Sequence, residues 1–84
     1  MSPAKFKEIR EKLGLTQEEL SIILGVSTYK PISHYETGFR TPSLLVQAVM
    51  SYFDSLSIKE AMTFIEDIRH HMAKVKKSMK TKKP

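Results

Sequence analysis

One stretch of the sequence, residues 16–36, limits most strongly what this 84-residue chain can fold into. Thr16 is a hydroxyl N-cap, and Glu19 follows three residues later, a spacing that forms a capping box and begins a helix. Gly25 is the residue type that ends such a helix in a left-handed turn. A second short helix, with Ile32 facing inward, follows that turn. The stretch therefore predicts two short helices joined by a tight turn.

Similar start and stop signals extend this pattern along the whole chain. They predict four helices over about residues 3–13, 16–24, 30–36 and 42–54. A fifth helix begins at the capping box formed by Ser57 and Glu60, and we expect it to span residues 57–78. Its apolar residues recur at alternating intervals of three and four, which is the heptad pattern of a helix that packs against another helix. The sequence therefore predicts an all-α chain.

Prolines mark the starts of three of these helices. Pro3 occupies the first position of the first helix, where its missing N–H costs nothing. Thr41 and Pro42 predict the start of the fourth helix in the same way. Pro31 is less usual, because proline disfavours the helical state for the residue before it. We therefore expect residues 28–30 to form an extended lead-in to the third helix.

Charge is distributed unevenly along the chain. Residues 74–84 carry six lysines and no acid, whereas residues 1–73 carry eight basic and nine acidic residues. The net charge of +5 therefore describes the tail and not the body. Such a tail is either a polyanion-binding arm or a solvated end, and we expect residues 79–84 to be disordered.

Composition excludes several classes of protein. The chain has no cysteine, so it has neither a disulfide framework nor a thiolate metal site. No apolar run approaches the roughly 18 residues of a membrane span, and the N-terminus lacks the apolar core of a signal peptide. We therefore expect a soluble, cytoplasmic protein.

Catalysis has little support in the sequence. His70 and His71 are adjacent, so on a helix they point about 100° apart, which is the wrong geometry for a shared metal ion. The acidic pairs Glu18–Glu19 and Glu66–Asp67 are also adjacent and do not converge. We expect no enzyme activity, no metal and no cofactor.

Two separated segments carry a family resemblance. LTQEELSIILGVS spans residues 15–27, and an IS-x-YE-x-G segment at residues 32–38 is followed by RTPS. Together they resemble the helix-turn-helix domains of the XRE type, such as the lambdoid phage repressors and Cro. The resemblance covers about residues 4–54. It implies a five-helix, lambda-repressor-like fold, in which residues 1–56 form the helix-turn-helix DNA-binding domain and residues 57–78 form an extended C-terminal helix.

The resemblance also implies roles for individual residues. The base-reading positions of such domains match Tyr29, Lys30, Ser33 and His34. The positions that contact DNA phosphates match Gln17, Thr28, Arg40 and Thr41. Arg10 and Glu36 match a pair that forms an internal salt bridge in the lambdoid members. A charge beside the inward face of the first helix needs such a partner, unless it reaches water.

The function implied by the resemblance is sequence-specific DNA binding. The chain would be a transcriptional regulator, a repressor of its own operon, which binds its operator as a homodimer with the second motif helix in the major groove. The fifth helix is long for so small a body, so we assign a dimer interface to Ile65, Ile68, Met72 and Val75. The alternative is an antitoxin or another interaction module of the same fold whose main role is to bind a protein partner.

Overall fold

Five helices and no strand make up residues 1–81, the part of the chain that the computed structural model describes, with side chains as far as residue 79. The helices are α1 Pro3–Lys12, α2 Gln17–Ile23, α3 Lys30–Thr37, α4 Leu44–Ser55 and α5 Ile58–Thr81. The predicted all-α class with an extended C-terminal helix is confirmed. Of the tail predicted to be disordered, residues 79–81 belong to α5, and the rest lies outside the described residues.

Capping boxes set the starts of α2 and α5. The Thr16 N–H donates to Glu19 Oε1 at 2.9 Å, and the Glu19 N–H donates to Thr16 Oγ1 at 3.0 Å, so both halves of the capping box are present. The hydrogen bond from the Thr16 N–H to the carboxylate lowers the pKa of Glu19. Ser57 and Glu60 exchange the same two bonds at the start of α5, at 3.0 and 3.1 Å. Both helices therefore begin where their capping boxes place them.

The start of α4 differs from the prediction at Thr41 and Pro42. Ser43 is the N-cap, with its Oγ accepting from the Val46 N–H at 3.2 Å. The helix therefore begins at Leu44, and not at Pro42 as predicted. The Pro42 carbonyl accepts from Gln47 Nε2 at 2.9 Å and the proline ring is buried. Tertiary packing of Pro42 therefore places it just before the helix.

The core draws on every helix. α1 packs against α3 and α4, and α2 packs against α3 and α5. The largest fully buried side chains are Phe6, Ile9, Leu20, Ile32, Met50, Phe53 and Ile65. The rings of Phe6 and Tyr35 also pack edge to face, with their centroids 5.4 Å apart. The inner face of α3 is thus held by the core, which leaves its outer face toward solvent.

The two halves of α5 differ in their environment. Ala61 and Ile65, in the first half, are 0% and 2% exposed, whereas Val75 and Met79 in the second half are 57% and 69% exposed. The helix has 24 residues, which corresponds to a length of about 36 Å. The body covers its first half and leaves the apolar side chains of its second half open. No helix within residues 1–81 is long and apolar enough to cross a membrane.

Candidate nucleic-acid interface

The first turn of α3 is helical, and the extended lead-in predicted for residues 28–30 is wrong. Tyr29, the N-cap, has φ −72° and ψ −15°, a right-handed helical conformation. The Lys30 N–H donates to Thr28 Oγ1 at 3.3 Å, and the Ser33 N–H donates to the Tyr29 carbonyl at 3.1 Å. These bonds outweigh the bias that proline imposes on the residue before it. The missing N–H of the proline falls in the first turn, where helix N–H groups have no partner within the helix.

The outer face of α3 carries the four side chains predicted to contact bases. Tyr29 is 50% exposed and Lys30 is also exposed, whereas Ser33 and His34 are half-buried. Among the residues whose side chains are described, the Lys30 ammonium pairs with no carboxylate. Its three donors are therefore available to a ligand.

A shallow groove of about 390 Å³ brings several predicted DNA contacts together. Its lining includes Thr28, Lys30, His34 and Arg40, from the start of α3, its middle and the loop that follows it. Thr41 is exposed but lies outside this groove, in a smaller cleft that also includes Arg40. Residues separated in the sequence thus form one continuous surface at the outer side of α3.

The charge of this groove suits an anionic ligand. Its lining carries the cations Lys30 and Arg40, with His34 between them along the chain, and it includes no carboxylate. Such a surface matches the repeated negative charge of a nucleic-acid backbone. Among the described side chains, no group of three or more His, Asp or Glu is placed to hold a metal ion.

The loop after α3 folds back onto the last turn of that helix. Gly38 ends the helix with φ +83°, a left-handed conformation that favours glycine. The His34 carbonyl accepts from the Arg40 N–H at 3.2 Å and from Thr37 Oγ1 at 3.3 Å. The Phe39 ring packs on the His34 ring, with centroids 4.8 Å apart. Sequence reasoning did not single out Phe39, although an aromatic residue between a turn glycine and an arginine was a usable signal.

A buried ionic network joins α1 to α3. Arg10 Nε lies 2.6 Å from Glu36 Oε2 and Arg10 Nη2 lies 3.1 Å from Glu36 Oε1, so the structure brings the predicted pair together. Arg10 Nη1 also donates to the Leu15 carbonyl at 2.8 Å. The hydrogen bonds to Glu36 raise the pKa of Arg10 above its ordinary value. These contacts fix α3 against α1 and the chain just before α2.

The comparison with protein families decides the class of this domain. Residues 6–46 match the family model described as Helix-turn-helix. These residues are a helix-turn-helix domain of the XRE type. The match takes in α1 from its fourth residue, all of α2 and α3, the turns between them and the first residues of α4. Comparisons with curated proteins and with solved structures found no match. The match therefore indicates that the protein is a DNA-binding regulator of the XRE kind.

Gln17, the first residue of α2 in this XRE-type domain, belongs to the same internal network. Its Nε2 donates to Glu36 Oε1 at 3.1 Å, and the side chain is half-buried. The side chain predicted to contact a DNA phosphate thus has an internal partner. Its phosphate contact stays a prediction, which has to use the second Nε2 hydrogen or the backbone N–H, because a phosphate oxygen only accepts hydrogen bonds.

The side chains assigned to a dimer interface differ in exposure. Ile65 is 2% exposed and lies in the core of the chain itself, so its assignment to an interface is corrected. The helices of the same chain cover it and leave no surface for a partner. Ile68 and Met72 are half-buried and Val75 is 57% exposed. These three side chains line an open apolar groove of about 640 Å³, together with Ile22 of α2.

Proposed function

We propose that the protein is a sequence-specific transcriptional regulator, and that it represses its own operon by placing α3 in the major groove of its operator. The observation that carries the proposal is the acid-free groove formed by the outer side of α3 and the loop after it. A rigid helix with an exposed polar face is the element that such domains insert into DNA. A DNA-binding regulator acts in the compartment that holds the DNA, so we place it in the cytoplasm.

The side chains on the outer face of α3 and in the loop after it divide into those that can contact bases and those that can contact the DNA backbone. Lys30 can donate to guanine O6 or N7, and the Ser33 hydroxyl can donate to or accept from several base edges. Tyr29 can pack on a thymine methyl group or donate to a phosphate. Thr28, Arg40 and Thr41 then position the domain on the sugar–phosphate backbone, which carries no sequence information by itself.

Affinity must come from a few well-placed cations. Residues 1–73 have a net charge of −1, so the body is not a general polyanion-binding surface. Each phosphate neutralised by a cation releases bound counterions, and binding weakens as salt increases. A protein with so few cations on its DNA-facing side should show a shallow dependence on salt and rely on base contacts for its preference.

The second half of α5 supports a homodimer. Met72, Val75 and Met79 follow one another at helical spacing, and Val75 and Met79 are 57% and 69% exposed. A second copy of the chain is a natural cover for this stripe, because a continuous apolar surface on a helix is stabilised by another helix. A twofold dimer would present two copies of α3 to half-sites roughly 34 Å apart.

A selection from a pool of random DNA duplexes tests the proposal and identifies the operator sequence in the same experiment. Wild-type protein should recover a short inverted repeat. Lys30→Ala and Ser33→Ala should weaken binding to that site by about fivefold to a hundredfold, the value of a lost base contact. Lys59→Ala, an exposed lysine at the start of α5, is the matched control and should bind as wild type. Recovery of no common sequence would contradict the proposal.

A second function is favoured by the outward side of α4. Leu44 and Leu45 are 85% and 73% exposed, and Leu45 borders an apolar groove of about 450 Å³ between α2, α4 and α5. An exposed apolar patch of this kind suits a protein partner. An antitoxin, which holds a toxin through such a surface, is the second candidate. Stable co-purification with the product of an adjacent gene, lost in Leu45→Glu, would support it.

A further inference from the structure

Phe39 is an exposed aromatic side chain with no role in the core. It is 72% exposed, and its ring contact is with the half-buried ring of His34. A single exposed apolar residue is ordinary in a folded protein. The position of Phe39 is what matters. Phe39 directly precedes Arg40 and packs on His34, and Arg40 and His34 both line the groove on the outer side of α3.

The ring is held in place by the structure of its loop. Gly38 turns the chain with φ +83°, and the Arg40 N–H donates to the His34 carbonyl at 3.2 Å. The centroids of the Phe39 and His34 rings are 4.8 Å apart, with 56° between the ring planes. Phe39 therefore projects from a closed loop that rests on α3. An aromatic side chain that is already positioned loses little conformational freedom when it binds a ligand.

The surroundings of Phe39 select the chemistry that it can recognise. A phenyl ring has no donor or acceptor, so it cannot read the polar edges of the bases, and it adds nothing to a phosphate contact. The apolar group displayed in the major groove is the C5 methyl group of thymine, and phenylalanine is one of the side chains that pack on it. In the proposed complex, Arg40 contacts the DNA backbone and Lys30 contacts a base beside the same surface.

We propose that Phe39 is a specificity-determining residue that packs on the C5 methyl group of a thymine in each half-site. The inference rests on the proposed function, since it requires α3 and its following loop to face the major groove. His34 acts as a positioning residue, because its ring supports the phenyl ring from the side of the helix.

The test compares thymine with deoxyuridine, which lacks the methyl group and keeps the same hydrogen-bonding edge. In the site selected by wild-type protein, replacement of one thymine by deoxyuridine should weaken binding about threefold to fivefold, the value of one buried methyl-sized group. Phe39→Ala should weaken binding to the thymine site and lose this difference, so that both duplexes bind alike. Phe39→Leu, which keeps an apolar surface, should retain at least part of it.

Controls separate recognition from folding. Phe39→Ala should keep a thermal unfolding midpoint close to that of wild type, because the side chain is 72% exposed and packs on the ring of His34 and not on the core. Met62→Ala removes another exposed apolar side chain, 42% exposed and located on α5, and should leave the thymine preference unchanged.

Each other outcome has one meaning. If wild type selects a site but Phe39→Ala retains the full difference between thymine and deoxyuridine, this inference is overturned and the proposed function stands. The same holds if no thymine methyl group affects wild-type binding, or if Phe39→Ala weakens binding to all duplexes equally. If wild type recovers no preferred sequence at all, the proposed function itself fails and this inference fails with it.

Discussion

Two ionic clusters tie α1 to other helices, and they differ in burial. Arg10 and Glu36 meet at 2.6 Å, with side chains 12% and 4% exposed. Lys5 and Lys12 each reach Asp54 at 3.3 Å, and all three of these side chains are at least 30% exposed. The first cluster joins α1 to the helix that faces DNA in the proposed complex, and the second joins α1 to the end of α4.

The difference shows where this small domain uses charge to fix geometry. A buried carboxylate left without its partner is strongly destabilising, so the Arg10–Glu36 pair specifies one orientation of α3 against α1. An exposed pair is screened by water and salt and contributes little. The position of α3 should thus depend on Arg10 far more than the position of α4 depends on Asp54.

Removal of Arg10 is expected to have the largest effect. Arg10→Met should lower the free energy of unfolding by about 3–5 kcal/mol, because it leaves Glu36 buried without its cation. Urea denaturation near neutral pH measures the loss, and Lys12→Met on the same helix is the matched control. A loss below about 1 kcal/mol, the range of exposed pairs, would show that Arg10 is effectively solvated.

Replacement of both members of the pair separates the cost of an unpaired charge from the value of the pair. The double variant Arg10→Met with Glu36→Leu should be more stable than the sum of the two single losses predicts, by roughly 0.5–3 kcal/mol. A double-mutant cycle in urea gives this coupling directly. Strict additivity would mean that the two side chains act independently, in spite of their contact.

Gln17 should have an intermediate effect, because it supplies one hydrogen bond to the same carboxylate. Gln17→Ala should cost roughly 1–2 kcal/mol of stability. Gln17→Glu should cost more, since it places a second negative charge beside Glu36. Thermal unfolding of both variants shows which of them loses more stability. If neither variant changes the unfolding midpoint, the side chain does not support Glu36 in solution.

Much of the fold follows from local signals in the sequence. The capping boxes at Thr16 and Ser57 are formed by residues three apart, so the sequence shows both partners together. The start of α4 was harder, because Thr41 and Ser43 are both acceptable caps. The choice depends on burial of Pro42 and on its hydrogen bond from Gln47, which are tertiary facts.

The candidate site shows the same limit more clearly. The residues of the groove were predicted by resemblance to a family, and their spacing alone does not bring Arg40 beside Lys30. The partner of Gln17 was not apparent, because Glu36 follows nineteen residues later and several polar residues lie between. Phe39 was missed since hydrophobic patterns identify core residues, and this side chain points away from the core.

The exposed cluster provides the smallest expected effect and a test by pH. Hydrogen bonds from Lys12 and Lys5 lower the pKa of Asp54 below its ordinary value of 3.8. A carboxyl group with a depressed folded-state pKa contributes stability at pH values above its unfolded pKa, and this contribution is lost as the pH falls through the folded pKa. Asp54→Asn should therefore unfold at a slightly lower temperature than wild type near pH 7.

The pH profile of this variant sharpens the contrast with Arg10→Met. The small difference between Asp54→Asn and wild type should disappear as the pH falls below 3.8 and also at high salt, because the ion pairs are exposed. The loss in Arg10→Met should persist at high salt, since the pair is buried. If Asp54→Asn proves as damaging as Arg10→Met near pH 7, burial does not decide which ionic contact holds this domain together.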